Sequence, residues 1–485
     1  MPCTTILVGK KASLNNSTII SRNDDSPSGK FHIKRLAYYK ENEYMRVYRS
    51  KISKVIIDLP DYNYQFTYVP NVEKGEGIWG ANGVNSKNVS MTATETISNN
   101  DEILSIDPLI DVSKNVHLSR NNQGIGEEDI VMLVLPYIKS AKDGVLRPAS
   151  LLEKYGTYEK NGIAFQDENE IWYMETIGGH HFIARRLPDE MVAILPNYFN
   201  INSFNLEEAL RDGKDNLCSK DLKELIIKNK ELLKADNLDF TNINPRKLFG
   251  TNREHDRLYN TPRAWVLYEY FTHNYGKYNP ESIDIPMFVK PAFKVSISHV
   301  KDANSNCFEG TKYDPYNNPK CYRPIGINRT AFIHVTEIKK DSVNELAKAI
   351  NYIGFASNAF NVIVPHFPRA TKLPHYLTYT TLKPSLDSFY WTSRIMAVLS
   401  DNIKDIAQPL IKDVQTKIYK YADNAIKAAR LDKNLSIDYL NVLNLRLEDN
   451  YKQLIEDLFN KLLRESSLNM TNSYQASDNG IQKHA

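Results

Sequence analysis

A cysteine stands at the third position of this chain, directly before a run of β-prone residues. The run from Thr4 to Val8 predicts a short strand that opens at Cys3. If Met1 and Pro2 are removed, one residue carries both a thiol and a free α-amino group. An α-amino group has an ordinary pKa of about 7.7 to 8.0, which suits it to take the thiol proton. The opening therefore has two interpretations that fit it equally: a nucleophile that supplies its own base, or a small apolar residue that opens an edge strand.

The composition indicates a soluble globular protein. Of the 485 residues, 42% are hydrophobic and 25% are charged. No stretch approaches the roughly 18 apolar residues of a membrane span, and polar residues return at Lys10, too early for a secretory signal. The formal net charge is only +3, with basic and acidic residues interspersed, which argues against nucleic-acid binding. We therefore expect a cytoplasmic protein with no membrane or nucleic-acid partner.

The cysteines and histidines do not form a recognisable metal or disulfide pattern. The four cysteines (Cys3, Cys218, Cys307 and Cys321) are too few for a disulfide scaffold and have no CxxC spacing, so we expect reduced thiols. The pair His180-His181 is predicted to lie in a strand, where adjacent side chains point to opposite faces and cannot ligate one ion from the same side. We expect neither a metal nor a cofactor.

The residues after the first strand predict a hairpin. A second strand, Thr18 to Ser21, ends at the polar segment Arg22-Asn23-Asp24-Asp25. Such a hairpin returns Arg22 and Asp25 to the side of Cys3, where a guanidinium and a carboxylate can tune a thiol and hold a polar substrate. The alternative is a solvated turn with a local ion pair.

Three later segments predict further structure. The stretches 170–175, 180–186 and 192–197 are joined by Gly-Gly and Pro-Asp turns and predict a three-stranded antiparallel meander that ends at Asn197. Arg263 lies in a cluster of basic residues that could clamp a carboxylate or simply be solvated. Beyond about residue 400, apolar residues recur every three or four positions, which predicts two amphipathic helices for packing or subunit contact.

Several motifs together resemble a known family. They are the opening 3–10 with Arg22-Asn23-Asp24-Asp25-Ser26, the block Trp172-Tyr173-Met174-Glu175 with Gly178-Gly179-His180-His181, Pro196-Asn197, Glu309-Gly310-Thr311 and Tyr322-Arg323-Pro324. With these motifs the chain resembles the dipeptidase A family of cysteine N-terminal nucleophile hydrolases (peptidase family C69), and more distantly the choloylglycine hydrolases, penicillin V acylases and secernins. The resemblance spans nearly the whole chain.

The resemblance implies a fold and an activity. The fold is α+β, a four-layer αββα N-terminal nucleophile hydrolase sandwich with antiparallel sheets and C-terminal helices. Residues 1–2 are then a removed propeptide and residues 3–465 a single domain. The residues themselves predict its helical part, about 400–465, and a disordered polar tail, 466–485. The implied activity is hydrolysis of dipeptides of broad specificity through a thioester on Cys3, without a cofactor, in a homo-oligomer.

The resemblance also assigns roles around the nucleophile. Cys3 is nucleophile and, through its freed amine, base; Arg22 and Asp25 match the pair that flanks it. Asn197 matches the asparagine of the oxyanion hole, and Arg263 is a looser match to a further active-site arginine.

The substrate's charged ends need partners as well. We expect Asp24 or Asp25 to bind the ammonium of a dipeptide and Arg263 to bind its carboxylate. Glu95 falls near the position where some acylases place an asparagine and is a substrate-binding candidate.

Three other functions compete with a dipeptidase. Another amide hydrolase of the same superfamily, acting on acylated amino acids or bile-salt-like conjugates, would need a larger apolar pocket. A secernin-like protein would keep the fold, lack activity and use its C-terminal helices for partners. A metallopeptidase would lose its activity to a chelator and keep it after thiol alkylation.

Overall fold

The computed structural model describes residues 3–43, 45–114, 124–236, 238–319 and 322–471. The strands are β1 (Thr4–Val8), β2 (Thr18–Asp25), β3 (Ala37–Tyr39), β4 (Val47–Arg49), β5 (Ile56–Asp58), β6 (Phe66–Tyr68), β7 (Asn82–Asn85), β8 (Ser90–Thr92), β9 (Glu95–Thr96), β10 (Asn161–Gln166), β11 (Ile171–Ile177), β12 (His181–Arg186), β13 (Val192–Leu195), β14 (Asn216–Cys218), β15 (Phe288–Val289), β16 (Thr330–Ile338), β17 (Ala349–Phe355) and β18 (Val364–His366). The helices are α1 (Asp101–Ile106), α2 (Glu127–Val134), α3 (Ala141–Tyr155), α4 (Leu206–Arg211), α5 (Leu222–Lys228), α6 (Pro245–Phe249), α7 (Glu254–Tyr259), α8 (Thr261–Thr272), α9 (Ile297–Ser305), α10 (His375–Thr378), α11 (Phe389–Asp401), α12 (Lys404–Leu431) and α13 (Ile437–Leu468).

Two antiparallel sheets form the centre of the molecule. The first has the order β15-β13-β1-β2-β16-β17-β18, and the second has the order β14-β12-β11-β10-β8-β7-β6-β3, with β9 also paired to β10. Strand β1 is central in the first sheet: Thr5 lies opposite Arg22 on one side and opposite Leu195 on the other. All five residues of β1 are buried, which suits a β-branched run enclosed on both faces.

Alternation along the strands separates the apolar core into layers. Leu7 and Ile20 of the first sheet share a buried cluster with Ala164 and Tyr173 of the second, so these faces pack against each other. The opposite face of the first sheet, including Ile6, clusters with residues of α8, α9 and α11 to α13. The opposite face of the second sheet clusters with α2 and α3. Each sheet therefore has one face toward the other sheet and one toward helices.

The structure confirms the α+β class and the two C-terminal helices. It corrects the predicted meander: β11 and β12 pair as expected, but β13 crosses to the first sheet and pairs with β1 and β15. The four residues of β13 are all buried, and a strand without a solvated face is suited to a central position.

The polar segment Arg22-Asn23-Asp24-Asp25 belongs to the strand and is not the solvated turn that was the alternative prediction. Strand β2 continues through Asp25, and all eight of its residues are buried because β1 and β16 pair with it on either side.

Helix α13 continues to Leu468, and residues 472–485 lie outside the described part of the chain, so the disordered tail stays a prediction. None of the helices in the described ranges combines the length and apolar character of a membrane span.

Candidate active site

Cys3 lies at the open end of β1 and is completely buried. Its backbone nitrogen donates a hydrogen bond to Oδ1 of Asn197 at 2.8 Å, and its Sγ accepts one from Nη2 of Arg22 at 3.0 Å. Asn197 follows β13 and Arg22 lies on β2, the two strands that flank β1. The pairing of these three strands therefore brings together residues that are far apart in the sequence.

Arg22 is the principal charge beside the thiol. It lies opposite Thr5, on the same face of the sheet as Cys3, and the same Nη2 also donates to Oε1 of Glu127 at 2.6 Å and to the carbonyl of Thr94 at 2.6 Å. Burial raises the pKa of the Cys3 thiol well above its ordinary value, and the positive charge of Arg22 opposes that rise. Arg22 thus stabilises a thiolate at a position where desolvation disfavours one.

Glu127 is a site residue that sequence reasoning missed. It opens α2, whose first turn carries three consecutive acidic residues, all buried. Three buried carboxylates in one turn need cations or hydrogen-bond donors, so this acidic triplet was the available signal. For Glu127 the cation is Arg22.

Asp24 faces protein cations. Its Oδ2 lies 3.0 Å from Nζ of Lys34 and its Oδ1 lies 3.5 Å from Nη2 of Arg22. Burial alone would raise the pKa of Asp24, but Lys34 and then Arg22 hold it well below its usual range. Asp24 was expected to bind a substrate ammonium, but its carboxylate already has two cationic partners in the protein, Lys34 and Arg22.

Asn197 is fixed by its neighbours. Its Oδ1 accepts from the Cys3 nitrogen and from Nη2 of Arg263 at 2.9 Å, so its Nδ2 must point the other way. There Nδ2 donates to Oε1 of Glu95 at 2.6 Å and to the carbonyl of Thr96 at 3.0 Å. Both amide hydrogens of Asn197 therefore have protein acceptors, and in this arrangement the amide holds the Cys3 nitrogen rather than offering a donor to an oxyanion.

Glu95 connects the two sheets at the site. It lies on β9 of the second sheet, and its Oε2 accepts a hydrogen bond from Oγ1 of Thr5 at 2.7 Å. Burial raises the pKa of Glu95 to about 7, while Arg22, the Thr5 hydrogen bond and Arg263 act in the opposite direction. Glu95 therefore changes charge near neutral pH beside the nucleophile.

Arg263, on α8, supports the strand end. Its hydrogen bonds reach the Tyr259 carbonyl at 2.9 Å, the Cys3 carbonyl, Thr4 Oγ1 at 2.8 Å, Asn197 Oδ1 at 2.9 Å and Asn260 Oδ1 at 2.7 Å. A guanidinium has five N–H groups, so these acceptors use all of them. In this structure Arg263 holds the backbone of Cys3, and its expected role as a carboxylate clamp stays a prediction.

Asp25 is not beside the thiol. Its Oδ1 accepts from Oγ1 of Thr330 at 2.6 Å, and its Oδ2 pairs with Arg323. The residues of β2 alternate between faces, so Asp24 shares the face of Cys3 and Asp25 lies on the other. Arg323 was visible in the sequence only as part of a motif without an assigned role.

A cavity of about 420 Å³ opens beside Asn197. Its lining includes Thr96, Lys160, Tyr259 and Asn260, which present both polar groups and apolar surface. Asn197 lines this cavity and also accepts a hydrogen bond from the Cys3 nitrogen, so the cavity is adjacent to a residue that contacts Cys3.

The histidine pair needs a correction. His180 lies in the turn before β12, and both Nδ1 atoms reach one carboxylate: His180 to Oδ1 of Asp107 at 2.8 Å and His181 to Oδ2 at 2.7 Å. The two rings therefore converge rather than diverge. Across the described ranges, no group of three or more His, Cys, Asp or Glu side chains has a metal-binding arrangement. Cys321 lies outside these ranges, and Cys3, Cys218 and Cys307 are free thiols.

Comparison with known proteins settles the family. The family model described as peptidase family C69 matches residues 2–417. The chain belongs to peptidase family C69. A "Dipeptidase" of Bifidobacterium longum is 44% identical over 420 residues, which cover 83% of this chain and 77% of that protein. A "Probable dipeptidase A" of Streptococcus pyogenes is 39% identical over 495 residues, 98% of each chain. "Dipeptidase A" of Lactobacillus helveticus is 40% identical over 413 residues, 82% of each.

Proposed function

We propose that this member of peptidase family C69 is a dipeptidase that uses Cys3 as an N-terminal nucleophile. The observation that carries the proposal is the position of Cys3 at the end of a buried central strand, with its Sγ 3.0 Å from Arg22 and its nitrogen 2.8 Å from Asn197. The names of the relatives support a dipeptide as the substrate.

The reaction follows from these contacts once the chain begins at Cys3. The free α-amine takes the proton of the thiol, and Arg22 stabilises the thiolate, which attacks the peptide carbonyl. The C–N bond breaks, and the leaving amino acid takes a proton from the Cys3 ammonium. Water then attacks the thioester, the freed amine accepts its proton, and the first amino acid leaves as the thiol is restored.

Removal of residues 1–2 is essential to this mechanism. In the described structure the nitrogen of Cys3 is an amide that donates to Asn197, and an amide nitrogen cannot serve as a base. After removal, the new amine would donate to Asn197 Oδ1 and so direct its lone pair toward the thiol. Asn197 is thus proposed as the residue that orients the base.

The oxyanion needs a donor other than Asn197. Among the described residues, Nε and Nη1 of Arg22 have no hydrogen-bond acceptor, although both are buried. We assign the developing oxyanion to these N–H groups, which lie on the guanidinium that contacts Sγ. A preorganised donor of this kind contributes about 2.7 to 4 kcal/mol to the transition state.

The predicted fold and the predicted substrate class also belong to this proposal. Two antiparallel sheets with helices on their outer faces support the αββα sandwich of N-terminal nucleophile hydrolases. The names of the relatives favour a short peptide over an acylated substrate with a large apolar group. A single domain over 3–465, a homo-oligomer and a cytoplasmic location stay predictions.

The test is hydrolysis of a panel of dipeptides, with the intact mass of each protein recorded. We expect turnover by a form that begins at Cys3, its loss in Cys3→Ala, and wild-type rates in the matched control Cys218→Ala. Full activity of a form that still carries Pro2 would contradict the mechanism. No turnover by a form with Cys3 exposed would reject the proposed function.

A further inference from the structure

We propose that Arg323 binds the C-terminal carboxylate of the substrate and so restricts this enzyme to peptides that end one residue after the cleaved bond. This inference rests on the proposed function. It concerns a residue to which the sequence had given no role.

Arg323 is a buried guanidinium with unused donors. Its side chain is only 8% exposed, one nitrogen, Nη2, pairs with Asp25, and its guanidinium carbon lies 5.1 Å from the centre of the Tyr259 ring. Within the described ranges, its Nε and Nη1 are buried without an acceptor. Buried N–H groups without acceptors are rare because desolvating them is costly, and a ligand that accepts from them removes that cost.

The position of Arg323 fits the second residue of a dipeptide. Thr4 lies opposite Asn23 in the β1–β2 register, so Cys3 falls opposite Asp24 and Asp25 lies one pair beyond, past the nitrogen of Cys3. Arg323 is anchored on that Asp25. The Asp25 side chain lies on the face opposite the thiol, so a peptide cleaved at Cys3 reaches Arg323 around the open end of β1.

Tyr259 connects Arg323 to the rest of the site. The guanidinium carbons of Arg263 and Arg323 lie 5.4 Å and 5.1 Å from the centre of its ring, and Tyr259 also lines the cavity beside Asn197. Arg263 in turn contacts the Cys3 carbonyl. The nucleophile, the cavity and Arg323 are thus arranged around one aromatic side chain.

The other arginines of the site are less suited to a carboxylate. All N–H groups of Arg263 are used by the protein. Arg22 contacts the thiol and Glu127, and its remaining Nε and Nη1 are the donors assigned to the oxyanion. Arg323 and Arg263 are close enough for their charges to repel, and an anion beside Arg323 relieves that repulsion. A planar guanidinium with free N–H groups is the preferred protein partner of a carboxylate.

The decisive comparison is a dipeptide against the same dipeptide with a C-terminal amide. We expect the wild-type enzyme to prefer the free acid strongly. In Arg323→Gln, kcat/KM for the acid should fall by about 10- to 100-fold, mainly through KM, because a hydrogen-bonded charge pair is lost. The value for the amide should stay within about threefold of wild type, so the preference disappears. Arg323→Lys should recover part of it.

Two further variants separate this role from others. Arg329→Gln is the matched control, since Arg329 donates to the Tyr259 hydroxyl at 3.2 Å but also to the Ser26 carbonyl, and it should keep the preference for the acid. Lys160→Met tests the lysine that lines the cavity. If Lys160→Met removes the preference and Arg323→Gln does not, the assignment is overturned. An equal fall for acid and amide in Arg323→Gln also overturns it, because Arg323 would then act only through Asp25.

Direct binding distinguishes failure of this inference from failure of the proposed function. Calorimetric binding of the dipeptide and of its amide is measured on Cys3→Ala chains that begin at residue 3, with and without Arg323→Gln. Weaker binding of the acid alone in the double variant supports the inference even if the wild-type chain hydrolyses no dipeptide. Hydrolysis by the wild type without any effect of Arg323→Gln on either assay rejects the inference and leaves the dipeptidase intact.

Discussion

Replacement of Glu95 by Gln tests the electrostatics of the site through the stability of the protein. Glu95 receives hydrogen bonds from Asn197 at Oε1 and from Thr5 at Oε2. A glutamine keeps the shape and can accept from Asn197 with its oxygen. Its amide can donate to the Thr5 hydroxyl, which is able to turn and accept. The substitution therefore removes the titration of this buried group with little change in packing.

The magnitude follows from the pKa of Glu95. Burial raises it from the ordinary 4.5 to about 7. The two values differ by about 2.5, and each pKa unit is worth about 1.36 kcal/mol, so the full effect is about 3 kcal/mol. The folded protein binds the proton more tightly than the unfolded chain. The stability contributed by this proton is thus fully present below pH 4.5 and is lost as the pH rises through 7.

Urea denaturation of both proteins at pH 5, 6, 7 and 8 measures the effect. The free energy of unfolding of the wild type minus that of Glu95→Gln should fall by about 2 to 3 kcal/mol from pH 5 to pH 8, with most of the change below pH 7. The contributions of the other titrating groups to the unfolding free energy are similar in the two proteins and largely cancel in this difference. Parallel stability curves for the two proteins would refute the reasoning, because they would mean that Glu95 is ionised throughout this pH range.

Three other substitutions address buried pairs and packing. Glu127→Gln removes the nearer carboxylate of Arg22 and leaves Asp24 at 3.5 Å, so it should lower the unfolding free energy by about 1.5 to 3 kcal/mol and reduce kcat, as measured by urea denaturation and by dipeptide hydrolysis. Lys34→Met removes the main counter-charge of Asp24 and should cost a similar amount at pH 7; an unchanged urea midpoint would contradict the buried ion pair. Gly162→Ala places a methyl group 2.1 Å from the hydroxyl of Tyr173 on the neighbouring strand and should cost about 1 to 3 kcal/mol in the same assay.

The nucleophile and its immediate neighbour were predictable because their signals are local. A β-prone run after Cys3 and a second such run ending at Arg22 determine a hairpin, and the alternation of side chains places Arg22 on the face of Cys3. The C-terminal helices were predictable for the same reason, since their apolar residues repeat at helical spacing over many turns.

Other features depend on long-range pairing that no local pattern encodes. The strand Val192–Leu195 follows a turn suited to a meander, yet it pairs with β1 in the other sheet. Glu127 and Arg323 are separated from Cys3 by more than a hundred residues, and ion pairs with Arg22 and Asp25 hold them at the site. Because these ion pairs join residues that are far apart in the sequence, no local pattern predicts them.

The buried charges of the site lead to one further conclusion about the reaction. In the described structure four cationic side chains balance four anionic ones around β1: Arg22, Lys34, Arg263 and Arg323 against Asp24, Asp25, Glu95 and Glu127. A thiolate adds a negative charge to this set, and the ammonium of Cys3 compensates it only while the amine holds the thiol proton. Protonation of Glu95 removes one negative charge and so favours the thiolate, since the Glu95 carboxylate raises the pKa of the Cys3 thiol. Glu95→Gln should therefore shift the acidic limb of the pH profile of kcat/KM to lower pH in the form that begins at Cys3. An unshifted limb would mean that the charge of Glu95 does not influence the nucleophile.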